Sequence, residues 1–481
     1  MEINMRKIKY ISLAMAALLL ALSPLAAMLG AALFTPPVFE DSFVGALDGK
    51  FERLTSIEGE KIVVVGGSSV AFGLDSAALE EYTGMPVVNF GLYAALGTKV
   101  MLDLSLAGIG EGDVVILSPE TDPEALSLYF GADTVWRAID GEPSMLGYID
   151  TDNMPAMLGA LWGYASSKVS YATGRDSFSD SGVYLSKYFN EYGDFAYPRA
   201  ANTMQSYYER NNPIRLDISA YGAELDGFID YLNAYVKKCE ARGAAVYFSF
   251  SPMNEMAIAE DERTRAELVG VLEERLNCPI ISDIESCIFE AGYFFDTNFH
   301  LNDAGVTART IRLAKDIRLA EGIVMSAITT PEPEAPALPE LTVRYDGYDE
   351  NSVYFTYARL DSGGYAITGL TEEGREMTSL TVPKGYGGYI VEAVAEGAFS
   401  GSRLESLTVP ADSSLAYFEN GAFLGAAGLR DLWIYKASGD DLAPPESFAG
   451  VHRDFRVHVP EGSDFSYHYY WSERGLTFVE E

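Results

Sequence analysis

Three regimes of hydrophobic patterning succeed one another along this chain. The first is a nearly unbroken apolar run from Tyr10 to Phe34, preceded by Arg6, Lys7 and Lys9 and closed by Thr35-Pro36-Pro37. At about 1.5 Å of helical rise per residue, such a run is long enough to cross a bilayer, and its basic flank would stay cytoplasmic. The pattern predicts a membrane anchor over residues 1–37, a juxtamembrane stretch over 38–60, and a body held outside the cytoplasm at the cell membrane. Ser23, Pro24, Ala26 and Ala27 supply small residues near a plausible cleavage point, so a secreted protein freed from its signal peptide is the alternative.

The second regime, residues 61–325, alternates short apolar blocks with amphipathic stretches. Lys61–Val65, Val87–Phe90, Asp113–Leu117 and Ala245–Phe250 are too short for helices and lie next to turn residues, which marks them as buried strands. Pro279–Ile281 reads as a further short strand. Ser76–Thr83, Thr98–Leu106, Ile218–Arg242 and Asp303–Leu319 read as helices. Strands alternating with helices predict an α/β fold, its parallel sheet covered on both faces and its functional groups at the carboxyl ends of the strands. An insertion at about 123–218 interrupts the alternation and is rich in Tyr, Trp, Gly and Ser. Its Tyr129, Phe130, Trp136, Trp162, Tyr164 and Tyr171 either pack a core of their own or line an acyl or sugar pocket.

The third regime, residues 341–481, follows a Pro/Glu linker at 326–340 that reads as extended and semi-rigid. Ser379-Leu-Thr-Val-Pro383 recurs as Ser406-Leu-Thr-Val-Pro410, and more loosely as Asp431-Leu-Trp-Ile-Tyr435 and Arg456-Val-His-Val-Pro460. Glu396-Gly-Ala-Phe399, Asn420-Gly-Ala-Phe423 and Glu446-Ser-Phe448 lie between them. An offset of roughly 25 residues is within the solenoid range. Each unit offers one short strand and one buried Phe, so its core is completed only by stacking on its neighbours.

Charge narrows the function classes. With 70 acidic against 34 basic residues, the formal net charge of −36 argues against a nucleic-acid partner. Cys239, Cys278 and Cys287 form neither a disulfide framework nor a metal spacing, and no cofactor or metal is expected. One disulfide and three free thiols both remain open. His452, His458 and His468 have no partners at metal-ligand spacing and read as surface or packing residues.

His300 is the only other histidine, in Asp296-Thr-Asn-Phe-His300-Leu-Asn302. A hydroxyl nucleophile needs a base, and imidazole serves near neutral pH. Asp296 could hold its tautomer. Val63-Val-Val-Gly66-Gly67-Ser68-Ser69 offers the hydroxyl on a sharp turn ahead of a helix, whose N–H groups can stabilise an oxyanion. Ser68 is the candidate nucleophile and Ser69 the alternative. The N–H of Gly91 could reach the same oxyanion, with a plain strand–helix turn the other reading of that glycine. Asn302 or Asp303 is expected to cap the last helix.

A serine turn, a glycine after the second strand, and an Asp and His near the domain's end follow one another in SGNH (GDSL-type) hydrolases, which residues 61–318 resemble. The resemblance implies a flavodoxin-like, three-layer parallel sheet. It implies Ser68 as nucleophile, His300 as base and Asp296 as its orienter, with the Ser68 and Gly91 N–H groups in the oxyanion hole. Two departures stand out. The family's Asp beside the nucleophile is Gly67 here, and the block that normally offers an Asn oxyanion donor is Leu117-Ser-Pro-Glu120-Thr-Asp122. Asn89, Asn254 or Ser118 would have to supply that donor. The N-terminal segment and the Gly-Gly-Ser turn are similar to a branch of the family that handles acyl groups on bacterial envelope polymers. Residues 365–460 resemble the BspA-like leucine-rich repeats of bacterial cell-surface proteins. Together these imply a membrane-anchored serine esterase or O-acyltransferase acting on acylated glycans or small esters, with a glycan or protein as ligand of the repeats. The alternative is a non-catalytic surface-binding protein with a degenerate hydrolase domain.

Overall fold

The computed structural model describes residues 23–24, 26–27, 30, 34–175, 183–204, 213–338, 343–360, 362–436, 442, 448, 450–460 and 477–480. The chain divides into two compact units, one within residues 1–337 and the other mainly residues 338–481. The first is α/β. Its strands are β1 (Ile62–Gly66), β2 (Val87–Gly91), β3 (Val114–Ser118) and β4 (Ala245–Phe248), in the order β2-β1-β3-β4. All pairs are parallel, with Ile62 opposite both Val87 and Val114. Every residue of β1, β2 and β3 is buried, as their β-branched, continuously apolar sequences require. The predicted strand at 279–281 is reduced to one bridge, Phe248 to Ile280, and a short β5 (Met253–Asn254) pairs in parallel with β6 (Ile288–Phe289).

The helices that position the site are α1 (Leu47–Ser56), α2 (Ser68–Ala71), α3 (Ser76–Thr83) and α4 (Thr98–Ser105), then α5 (Ala132–Ala138) and α6 (Met154–Ala172) in the insertion. Next come α7 (Gly222–Glu240), α8 (Glu262–Arg275) and α9 (Asp303–Glu321). Asn302 caps α9 by accepting from the Gly305 N–H, and Gly322 ends it in the left-handed region at φ 64°. Leu313, Ala314 and Ile317 of α9 pack on Ile62, Val64, Val87, Val114 and Ile116 of the sheet.

Several expectations need correction. Among the described residues no helix is long and apolar enough to cross a membrane, which overturns the predicted transmembrane helix and the cell-membrane location drawn from it. Most of the apolar run at 10–34 lies outside the described residues. The stretch at 38–60, read as a juxtamembrane connection, is packed structure: Phe43, Leu47, Phe51 and Leu54 recur at helical spacing and are all buried. Within the insertion, Trp136 stacks on Tyr164 at 5.1 Å and donates to the Met157 carbonyl, so these two aromatics belong to its own core, whereas Trp162 is exposed. The Pro/Glu segment is held to the first unit rather than spanning free of it. Glu332 pairs with Arg312 and Lys315, and the Tyr293 hydroxyl donates to the Pro333 carbonyl.

Among its described residues the second unit holds two sheets. Strands β7 (Phe355–Arg359), β8 (Tyr365–Leu370), β10 (Gly385–Tyr386), β11 (Tyr389–Val394) and β13 (Tyr417–Phe418) form one. The other is a parallel ladder of β9 (Ser379–Thr381), β12 (Ser406–Val409), β14 (Asp431–Ile434), β15 (Arg456–Val459) and β16 (Thr477–Glu480). Its register aligns Ser379, Ser406, Asp431, Arg456 and Thr477, so each repeated motif lies beside the next. Behind it, Phe423 stacks between Phe399 and Phe448, at 5.4 Å from each. His458 packs on Trp433 at 3.8 Å and pairs with Asp431, while His468 lies outside the described residues. All three cysteines are free thiols.

Candidate active site

Strand β1 delivers its chain to the carboxyl edge of the sheet and turns through Gly67 into α2, whose first residue is Ser68. Two glycines at this edge leave side-chain space that neighbouring groups occupy. A Cβ on Gly91 would fall 2.4 Å from Val70 Cβ and 2.6 Å from the Gly67 carbonyl, and one on Gly67 would fall 2.1 Å from Glu120 Oε2. Ser68 is 8% exposed and Ser69 fully buried, so of the two serines only Ser68 retains any exposed surface.

The base arrives from the other end of the unit. His300 Nδ1 and Asp296 Oδ1 are 2.8 Å apart, and both side chains are largely buried. Asp296 stands four positions before His300, and the bend between them is closed by Phe295 N–H on the His300 carbonyl and His300 N–H on Thr297 Oγ1. The imidazole lies flat on Phe72, with centroids 3.9 Å apart and planes at 6°. Phe72 follows Ser68 by one helical turn, so this stack sets His300 against the helix that Ser68 opens. Arg199 ties the two segments together, donating to the Phe72 carbonyl at 2.8 Å and the Leu301 carbonyl at 2.7 Å.

Three of the expected oxyanion donors, on Gly91, Asn89 and Asn254, donate within the protein. The Gly91 N–H donates to Asn89 Oδ1, and Asn89 Nδ2 donates to the Val70 carbonyl and to Asp194. Asn254 donates to Asn298, and Ser118 Oγ accepts from Arg309. Asn302 caps α9 and braces the His300 loop through the Gly292 and Phe294 carbonyls. Asp194, from the insertion, is buried and also takes both the N–H and the hydroxyl of Ser76.

The Leu117–Asp122 segment carries a side chain that the sequence did not single out. Glu120 is 3% exposed, and its Oε1 accepts from the Ser69 N–H at 2.7 Å and from Ser68 Oγ at 3.2 Å. Arg309 of α9 donates to the Ser69 carbonyl and to Ser118 Oγ. Burial pushes its guanidinium down to about 10, opposed by Cys287 and Glu120. Burial pushes the Asp122 carboxyl up to about 7, with Glu120 adding to the shift and two backbone N–H bonds opposing it. A separate cavity of about 310 Å³ is lined by Asp48, Lys50, Phe189 and Asn190, and neither Ser68 nor His300 faces it.

The arrangement places a hydroxyl, a carboxylate-oriented imidazole and a guanidinium-braced turn at one sheet edge. The signal that could have located Glu120 was the pairing of an acid in Leu117–Asp122 with a glycine, Gly67, just before Ser68. No protein-family model, curated protein or solved structure matches this chain.

Proposed function

We propose that the first unit is an SGNH-type serine hydrolase, working as an esterase or O-acyltransferase on acylated glycans or small esters. The observation that carries this reading is the Asp296–His300 pair lying flat on Phe72, one turn after Ser68. Asp296 accepts the Nδ1 proton, which leaves the Nε2 lone pair for the Ser68 hydroxyl. As Ser68 Oγ bonds to the acyl carbon, His300 takes its proton and then returns it to the departing alcohol oxygen. Water or a sugar hydroxyl next attacks the acyl-enzyme, losing its proton to His300, and Ser68 is regenerated. The parallel ladder and the stacked Phe399, Phe423 and Phe448 support reading the second unit as leucine-rich repeats of the BspA type, with a glycan or protein ligand.

A second reading, a non-catalytic binding protein with a degenerate hydrolase unit, is favoured by one observation. The Gly91, Asn89 and Asn254 groups that would serve an oxyanion donate within the protein. The test is a fluorophosphonate probe on the intact chain and on Ser68→Ala, with the adduct located by mass spectrometry. An adduct on Ser68 that disappears in the variant and requires His300 is expected. A folded protein without an adduct would favour the second reading.

A further inference from the structure

We propose that Glu120 is a positioning residue for the nucleophile: its carboxylate fills the side-chain space that Gly67 leaves empty and holds the serine turn by one oxygen. This rests on the reading of Ser68 as the nucleophile. Three observations carry it. First, Oε1 takes both the Ser69 N–H and the Ser68 hydroxyl, so backbone and reactive group are fixed by the same atom. Second, Oε2 is buried with no hydrogen-bond partner among the described residues, and it lies 2.1 Å from where a residue-67 Cβ would be. An orphaned carboxylate oxygen in that position costs stability, yet it seats the other oxygen on the turn. Third, Arg309 holds the opposite side of the same turn through the Ser69 carbonyl, so Ser69 is gripped at its N–H by an acid and at its carbonyl by a base.

The consequence is a division of labour within Glu120. In the resting site the Ser68 hydroxyl rests on Oε1. To deliver its proton to His300 it must rotate about Cα–Cβ, a change between staggered rotamers. The Ser69 N–H bond persists through that rotation, so the turn does not relax when the hydroxyl leaves. Residues 67 and 120 then form one coupled unit, because any side chain at 67 expels the carboxylate from its seat.

The test compares the full chain with Glu120→Ala, Gly67→Ala, the double variant and Glu120→Gln. Two measurements are made: hydrogen exchange of the peptide spanning residues 66–72, and the rate of fluorophosphonate modification of Ser68. Glu120→Ala and Gly67→Ala are each expected to speed exchange and to slow modification about tenfold or more, the loss of a hydrogen bond to a charged group. The double variant should be no slower than Glu120→Ala, since Gly67→Ala acts only by displacing the carboxylate. Glu120→Gln keeps the Oε1 acceptor and should recover most of the rate, a rescue that also guards against misfolding of the alanine variants. Multiplied defects in the double variant, or unchanged exchange in Glu120→Ala, would overturn the proposal. If the native chain is not modified at all, the reading of Ser68 fails instead, while the exchange measurement still decides the seat of Glu120.

Discussion

On the proposed mechanism, Asp296→Asn separates two jobs of the carboxylate on His300. The ring is held by the 2.8 Å bond at Nδ1 and by the face-to-face stack on Phe72. Asparagine is nearly the same size and, turned with its amide nitrogen toward Nδ1, keeps that bond as a donor. Nδ1 must then accept, the ring proton moves to Nε2, and the atom needed by Ser68 has no lone pair. The ring stays in place while the proton sits on the wrong nitrogen. In Ser-His-Asp enzymes that exchange is worth about 10⁴ in rate, roughly 5.5 kcal/mol at 1.36 kcal/mol per tenfold. The stack is a smaller contribution: an aromatic pair is worth about 0.5–1.5 kcal/mol beyond its area, so Phe72→Leu should slow reaction by roughly tenfold. The assay is the rate of fluorophosphonate modification of Ser68, with thermal unfolding as the control for fold. A rate for Asp296→Asn within tenfold of the native chain, with Ser68 still the modified residue, would refute proton placement by Asp296 and leave the pair a structural contact.

Three further outcomes bear on the scaffold. Between pH 4 and 7 the folded chain retains a proton on Asp122 that the unfolded chain has released, because burial raises that carboxyl from 3.8 to about 7. Stability should therefore fall as pH rises through that window, and in urea unfolding Asp122→Asn should exceed the native chain at pH 8 but match it at pH 3.5. Phe423→Ala removes the middle ring of the Phe399–Phe423–Phe448 stack, a fully buried position, and should cost about 3–5 kcal/mol of the second unit's stability. A loss below about 1 kcal/mol, read by hydrogen exchange of the ladder strands, would mean the rings do not pack as a column. Lys61→Met leaves Asp113 buried without its cation, 2.9 Å away in the native chain, and should cost about 3 kcal/mol because two backbone N–H groups still bind that carboxylate. Equal urea midpoints for the variant and the native chain would show that the pair contributes nothing at the sheet's entry.

What the sequence made legible depended on whether the cause was local. Helix Ser76–Thr83 was predicted with the bounds it has, because Asp75 caps it and Gly84 ends it within one short window. The repeats were legible because a ladder in register copies one motif from strand to strand. The 38–60 segment was misread for a related reason: its apolar spacing is local, but that of Lys50 is not. The Lys50 amine reaches the Asn89 and Gly193 carbonyls, and burial pushes it down to about 7. Nothing within ten residues announces a buried lysine.

The site shows the same division. Asp296 and His300 are four positions apart, and their pairing could be read directly. Glu120, Arg199 and Arg309 meet the serine turn only through the tertiary fold, across 52, 127 and 240 residues in the bonds that place them. Spacing carries no information at that range; steric complementarity does. A glycine whose absent side chain is replaced by another residue's carboxylate is visible only as two separate departures from a family pattern, one at 67 and one at 120. Each departure alone suggests a decayed site, whereas a separation of only 2.1 Å between a residue-67 Cβ and Glu120 Oε2 makes them one substitution. If the two positions are one unit, the missing acid beside Ser68 is not evidence of decay. The case against catalysis then rests on the engaged oxyanion donors alone, and modification of Ser68 is the measurement that decides it.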